Sequence, residues 1–383
     1  MSPNTLINES EPGAEPATQA EDAPLSLAQR VVSFLGLALI NLVVFAVLAE
    51  AASIAIVHFK RWPSTRPTYH LSYNKFWTET NPVFGMWHRP NGHFFHQGGC
   101  FSVEYTTNSY GARDRERTLH TTKPRTIVLG DSFVEGFGVP DDERLTNLME
   151  RDAGREHLNF GTGGGFSPLQ YALLYRSLAS QFDHTQVLVG VLPDNDFHEM
   201  DRSWLESNYA GEFRPYYRDD LTIGYLGHFQ PNAGEGLWNH TEAALRAYLA
   251  SYHVGQYIYF STLMRHGPYS GYNDFKAVDL ARLKQAVLDI KSTAVAHGAK
   301  MAVFIIPRAN DFERLHTAKT DRLGPVMESW GTTSGIPVKD LLPDMEAQSG
   351  GDYRSYFRSC DGHWSTKGNA VAAKILEHWV YGQ

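Results

Sequence analysis

The chain has 383 residues, enough for one large core or two ordinary ones. Its net charge of −8, with no basic stripe interleaved with aromatics, argues against a nucleic-acid partner. Aromatic residues make up 13% of the chain and concentrate between residues 204 and 275, mixed with Gly, Pro and Asn, which suits a groove wall better than a simple helix layer.

Residues 1–27 are acidic, carry several prolines and show no apolar period, so they read as a disordered tail. The run "VVSFLGLALINLVVFAVLA", residues 31–49, has no charge, and "AASIAIV" extends it past Glu50. A stretch of that length spans a bilayer, and residues 28–58 are assigned as a transmembrane anchor. Ala49-Glu50-Ala51 has the small-x-small form of a signal-peptide cleavage site, but the acidic tail before it and the long apolar run favour a retained helix. Glu50 itself fits the membrane interface or a contact with a partner helix. The flanking charges, Arg30 before the segment and Lys60, Arg61 and Arg66 after it, favour a cytoplasmic C-terminal part.

Residues 59–122 form an extension of short alternating runs such as "CFSVEYTT". Strand-like runs then alternate with helical patterns: "TIVLG" at 126, "EHLNFG" at 156, "QVLVGVL" at 186, "KMAVFII" at 300 and "IPVKDL" at 336. This alternation predicts an α/β domain over residues 123–383, with a parallel sheet covered on both faces. Leu283, Val287, Ile290 and Ala294 mark one apolar helix face that Gly298 stops, and Val371, Ile375 and Trp379 mark another. The interval 197–276 is too long for an ordinary connection and reads as an insertion near the binding face.

In a parallel sheet, ligands bind beyond the carboxyl ends of the strands. After the first strand comes Gly130-Asp131-Ser132, after the second "GTGGGFS" (161–167), after the third "PDNDF" (193–197), and after the fifth a loop leading to "CDGHWSTKG" (360–368). One rim thus holds a hydroxyl, flexible backbone amides, a carboxamide, and a carboxylate two residues before an imidazole. Acyl transfer needs that inventory: a base to deprotonate a serine, a carboxylate to orient the base, and fixed donors for the developing oxyanion. Each piece also has a bland reading. Asp131 and Ser132 suit any strand-to-helix turn, Asn195 suits a helix cap, His363 suits a structural role, and the glycines suit a tight turn. A G-x-S-x-G elbow is absent because residue 134 is Val, and a dinucleotide fingerprint is absent because residue 166 is Phe.

Four blocks in order, "VLGDSF", "NFGTGGGFS", "LPDNDF" and "DGHWSTKGN", together with the lead-in "TTNSYGARDRE", resemble the SGNH (GDSL-like) hydrolase superfamily, in particular its bacterial membrane-tethered members. The resemblance covers about residues 100–383. It implies a three-layer α/β/α fold with five central parallel strands, flavodoxin-like in order. It also implies Ser132 as nucleophile and first oxyanion amide, Gly164 as second amide, Asn195 as side-chain donor, His363 as base and Asp361 as its orienting acid. The substrates it implies are esters of lipids or acylated carbohydrates. Two departures stand out. The acid and base are spaced D-x-H where many members have D-x-x-H, which makes the reach of Asp361 less secure. Asp194 precedes Asn195 where a small or apolar residue is usual, and its carboxylate is expected to point away from the oxyanion.

The two cysteines, Cys100 and Cys360, read either as buried thiols or as a disulfide beside the "DGHW" loop, and a disulfide would require an oxidising compartment. The pair is the reading adopted. His93 and His96 have a spacing that metals use, yet no further ligands accompany them, so neither metal nor cofactor is expected. Trp364 is a packing wall or a platform for a sugar ring, and is the candidate substrate-binding residue. The whole reads as a membrane-anchored serine esterase that removes O-acyl groups, O-acetyl first among them, from a carbohydrate. Its catalytic domain would lie outside the cytoplasm, against the lean of the flanking charges. A polysaccharide O-acyltransferase would share every catalytic residue, and a non-catalytic carbohydrate-binding module on the same fold is the remaining alternative.

Overall fold

The computed structural model describes residues 26–382 apart from 63, 70, 72–75, 78, 210, 230–236, 264–268 and 318–321. Residues 1–25 of the expected acidic tail lie outside the described residues, and Leu27 already belongs to the first helix. The chain divides into two compact units, residues 1–51 and 52–383.

Helix α1 (Leu27–His58) begins in the first unit and is long and apolar enough to cross a membrane. Every side chain from Leu27 to Leu48 is exposed, which is not the pattern of a core helix.

The second unit is built on five strands: β1 (Arg125–Gly130), β2 (Glu156–Gly161), β3 (Gln186–Val191), β4 (Lys300–Ile305) and β5 (Val338–Asp340). They pair in parallel in the order β5-β4-β3-β1-β2. All six residues of β1 are buried, as a strand covered on both faces requires, which is why Ile127, Val128 and Leu129 follow one another without a polar alternation. The helices that flank the sheet include α2 (Ser132–Glu135), α3 (Leu145–Ala153), α4 (Pro168–Ser177), α5 (Pro193–Asp196), α6 (Ala277–Ala296) and α7 (Thr366–Tyr381). Helix α4 packs on α6, and α3 packs on α7. The expected α/β architecture, its five strands and their flavodoxin-like order are all present. That order places a topological switch between β1 and β3, the point at which an open α/β sheet binds its ligands.

The apolar face expected on α6 is the buried one: Leu283, Val287, Ile290 and Ala294 are all in the core, joined by Ala286. On α7 the face is turned slightly. Ala372, Ala373, Ile375 and Leu376 carry the core contact, while Val371 and Trp379 are only half-buried, because small alanines let the helix approach its neighbours closely.

Two antiparallel pairs precede the sheet, Glu79–Asn81 with Gly85–Trp87 and His93–Gln97 with Ser102–Thr106. Phe76, Phe94 and Tyr105 form a small buried aromatic cluster there. Between β3 and α6 the chain makes a helix (Arg202–Asn208), a hairpin (Arg214–Tyr217 with Ile223–Leu226) and two further helices (Leu237–Tyr248 and Ala250–Ile258).

Candidate active site

Strand β1 ends at Gly130 and the chain turns at once into α2. Asp131 caps the turn, its Oδ1 accepting the Phe133 N–H at 3.0 Å, and Ser132 is the first residue of the short helix. The serine is 9% exposed, so its hydroxyl is sheltered yet reachable. Its Oγ lies 2.9 Å from Nε2 of His363, which arrives from the other end of the domain, 231 residues later. That is hydrogen-bonding distance for a hydroxyl and the imidazole that would deprotonate it.

The loop bearing His363 is turned tightly on itself. Phe357 and Trp364 bridge in antiparallel fashion, and Arg358 N–H donates to His363 O at 2.8 Å. Gly362 has φ 74°, a left-handed conformation that favours glycine and folds Asp361 back over the histidine. Asp361 Oδ1 therefore accepts the backbone N–H of His363 at 3.1 Å, and Oδ2 sits 3.6 Å from His363 Nδ1. The latter distance is long for a hydrogen bond, and Nδ1 is buried with no partner. The carboxylate is anchored instead by Arg358, whose Nη2 donates to Oδ2 at 2.8 Å and Nε to Oδ1 at 3.3 Å. The short D-x-H spacing thus gives an acid that faces its histidine but is held firmly by an arginine.

The imidazole itself is packed between two residues of the nucleophile turn. Phe137 stacks on it at 4.4 Å between ring centroids, and Phe133 lies at 5.0 Å. Burial lowers the His363 pKa, Asp361 raises it, and Arg358 and Arg308 lower it further; the net shift is downward, so the ring is neutral and basic at neutral pH. Burial pushes the Asp361 carboxyl up, but His363 and Arg358 together outweigh it and hold the group well below the usual carboxylate range.

Two more turns carry the other expected donors. The N–H groups of Ser132 and Gly164 have no hydrogen-bond partner among the described residues. Gly164 and Gly165 both have φ 80°, so the loop after β2 takes a path that side-chain-bearing residues rarely follow. Asn195, in α5 after β3, donates from its amide to Glu199 Oε1 at 3.2 Å, and its side chain also interacts with the Asp131 carboxyl. Behind these donors lies a group of buried acids. Asp131, Asp196 and Glu199 are each no more than 3% exposed, and burial raises Asp131 to about 7 and Glu199 to about 7. Asp196 rises through burial and the proximity of the other two, and it accepts the Tyr171 hydroxyl at 2.9 Å.

Several residues of this site had no signature in the sequence. Arg358 and Arg308 are two. Arg308, at the end of β4, pairs with Asp194, so the carboxylate that seemed a threat to an oxyanion is neutralised by a neighbouring cation. Glu135 is a third: fully buried, it accepts from Gly163 N–H at 2.7 Å and from Trp77 Nε1 at 2.9 Å, and lies 3.0 Å from His88 Nε2. A second acid in the short turn "DSFVEG", directly after Phe133 and Val134, is the available hint. Arg113 adds a clamp from the same extension, donating to the carbonyls of Glu135 at 2.9 Å, Gly136 at 2.6 Å and Val139 at 2.7 Å.

Three other candidates resolve as follows. Trp364 is 2% exposed and packed edge-on against Phe133 at 5.2 Å, so it is a core residue; the expectation that it contacts substrate is corrected by its burial. His93 is exposed and paired with Glu104, whereas His96 is buried against Phe101 and Phe137, the two lying on opposite sides of their strand. Among the described residues no cluster of His, Cys, Asp or Glu suited to a metal occurs. Cys100 and Cys360 are joined in a disulfide, with Cα atoms 5.8 Å apart, which ties the extension to the residue next to Asp361.

A parallel α/β sheet with a serine–histidine pair at its switch point is therefore on view. No protein-family model matches the chain, and no curated protein matches it. Among solved structures it is similar to a member of the lipolytic G-D-S-L family from Veillonella parvula, at 11% identity over 68% of this chain and 98% of that one, with a TM-score of 0.35. A GDSL-like lipase from Bacteroides thetaiotaomicron matches at 9% identity over 70% and 92%, TM-score 0.36. A lipase/acylhydrolase from Enterococcus faecalis matches at 14% identity over 67% and 96%, TM-score 0.34. Likenesses of this size carry no argument about activity, which has to rest on the residues themselves.

Proposed function

We propose that the protein is an SGNH-type serine esterase that removes O-acyl groups, O-acetyl first among them, from a carbohydrate. The observation that carries this reading is the 2.9 Å contact between Ser132 Oγ and His363 Nε2 at the switch point of the sheet. In the proposed reaction Ser132 Oγ attacks the ester carbonyl while His363 Nε2 takes its proton. Asp361 stabilises the imidazolium, and the oxyanion is met by the N–H groups of Ser132 and Gly164 and the Asn195 amide. His363 then returns the proton to the leaving alcohol, and water, activated by the same imidazole, releases the acid from Ser132.

The domain is proposed to be exported and held to the membrane by α1. The Cys100–Cys360 disulfide supports an oxidising compartment against the lean of the flanking charges. The test is reaction with a serine-directed fluorophosphonate, read by mass spectrometry, followed by acetate release from acetylated glycans. Labelling at Ser132 that disappears in Ser132→Ala and in heat-denatured protein is expected. Folded protein that neither labels at Ser132 nor turns over any ester would overturn the reading.

A further inference from the structure

We propose that Arg214, in the insertion, is a positioning residue for the oxyanion loop. Its guanidinium holds the carbonyls of Gly164 and Gly165 and thereby aims the Gly164 N–H. The proposal rests on the esterase reading above and adds to it a residue that lies 50 positions from the loop it holds.

Residues 163–165 are three consecutive glycines, the backbone with the largest conformational freedom to lose on folding. An oxyanion donor is effective only when it is already in place as the charge develops, so such a loop needs an external constraint. The structure supplies one on each side of the 163–164 peptide. On one side Gly163 N–H is held by Glu135 Oε2 at 2.7 Å, and Glu135 is itself fixed by Trp77 and His88. On the other, Arg214 Nη2 donates to Gly164 O at 2.9 Å and Nη1 donates to Gly165 O. With both neighbouring peptide planes pinned, the plane carrying the Gly164 N–H loses the freedom to drift.

Arginine suits this task and lysine does not. Two carbonyls one residue apart need two N–H groups at a fixed separation, which a planar guanidinium presents and an ammonium does not. The fork is held in turn. Arg214 is 1% exposed, lies 3.7 Å over the Tyr209 ring, and donates from Nε to Glu212 Oε2 at 2.9 Å. Tyr209, Glu212 and Arg214 all belong to the segment between β3 and α6, so the insertion holds part of the proposed catalytic apparatus.

The test compares wild type, Arg214→Met and Arg214→Lys, each as the full chain in detergent, on 4-nitrophenyl acetate and with a boronic acid that forms a tetrahedral adduct on serine. Arg214→Met is expected to lower kcat about 10- to 100-fold with KM changed little, and to weaken the boronic acid by a similar factor, because only the charged tetrahedral state uses the Gly164 N–H. Arg214→Lys, which keeps the charge and one contact, is expected between the two. A folded Arg214→Met with wild-type kcat and boronate affinity would overturn the positioning role. Should Arg214→Met fail to fold, a folded Arg214→Lys with wild-type kcat and boronate affinity would overturn it equally. Wild type that turns over no ester and binds no boronate would instead remove the esterase reading, and the proposal with it.

Discussion

The two loops that complete the candidate site are stiffened in opposite ways. The loop at 357–364 is held mostly from within: Arg358 grips Asp361, its backbone pairs with His363, and Gly362 sets the turn. The loop at 161–167 is held from outside, by Glu135 of the nucleophile turn, by His88 and Trp77 of the extension, and by Arg214 of the insertion. A loop that must place a side chain can be built by its own sequence. One that must place a bare N–H is rich in glycine, has few side chains with which to brace itself beyond Thr162, whose Oγ1 meets His88 Nε2 at 2.8 Å, and borrows the rest from elsewhere in the chain.

The largest expected effects fall where the two loops meet the nucleophile. Ser132→Ala and His363→Ala should each lower ester turnover by about 10⁴-fold or more without unfolding the protein, because the residues act as a unit. Turnover of a chromogenic ester by either purified variant near the wild-type rate would exclude the assignment. Asp361→Asn should cost less than these, about 10²- to 10⁴-fold, since the Nδ1–Oδ2 distance is already 3.6 Å. The acid also raises the pKa of His363, so its removal should move the acidic limb of the kcat/KM profile to still lower pH. A limb that stays in place would mean that another group sets the histidine's pKa.

Arg358→Met probes the self-held loop directly. Freed of its anchor, Asp361 should drift by a fraction of an ångström to an ångström, and a misplacement of that size costs about 10²-fold in rate. His88→Ala probes the loop held from outside and should act on kcat by about tenfold through Glu135 and Gly163. If His88→Ala proved the more damaging of the two, the contrast between the loops would be reversed.

This contrast also explains what could be read from the sequence. The turns that carry Ser132, Gly164 and Asn195 are legible because each follows a strand, and strand ends show as apolar runs broken by Gly, Asp or Asn; His363 lies beyond a helix, Leu341–Ser349, that separates its loop from β5, and is legible only from the neighbouring Asp361. The left-handed turn at Gly362 and the three glycines at 163–165 were visible as composition. Arg214, Arg358, Arg308 and His88 were not, because an arginine that donates to a distant carbonyl, or a histidine that meets a distant acid, leaves no local pattern. The insertion was recognised by its length alone, and its content of hairpin and helices became clear only from the structure. Trp364 misled because its neighbour in sequence, His363, is at the site while its own ring turns into the core, as adjacent residues in an extended segment do.

Reduction of the Cys100–Cys360 bond sharpens the comparison further, since it removes one of the two external ties of this loop, the other being the Arg358 Nη1 contact to Phe137 O at 2.6 Å. Opening a crosslink over 260 residues should cost about 5 kcal/mol of stability in the chain-entropy model. Turnover should fall by less, about two- to fivefold at a temperature where the reduced protein stays folded, because Arg358 still anchors Asp361. Thiol labelling under denaturing, non-reducing conditions establishes the bond, and two freely alkylated cysteines in protein from native membranes would remove this prediction and the support it gives to export.

The smallest effect concerns the acids beneath the glycine loop. Burial raises Asp131 to about 7 and Glu199 to about 7, while their unfolded values lie near 4. A raised carboxyl contributes stability that is complete below its unfolded pKa and is lost as pH rises through its folded value. Stability from this pair should therefore decline from about pH 4 to about pH 7 and level off by about pH 8. Buried histidines act in the other direction. His96, His157, His198 and His363 are lowered, chiefly by burial, and their contribution is present above about pH 6.5 and lost as pH falls. Above pH 7 the histidine contribution is already complete, so the slope there belongs to the acids. The melting temperature of wild type should accordingly fall slightly between pH 7 and pH 8.5, and Glu199→Gln, which keeps a polar group within reach of Asn195 but cannot ionise, should reduce that fall by about 1 °C. An alkaline slope as steep in Glu199→Gln as in wild type would mean that Glu199 is already ionised beside Arg214, and that the acids beneath the loop do not limit stability.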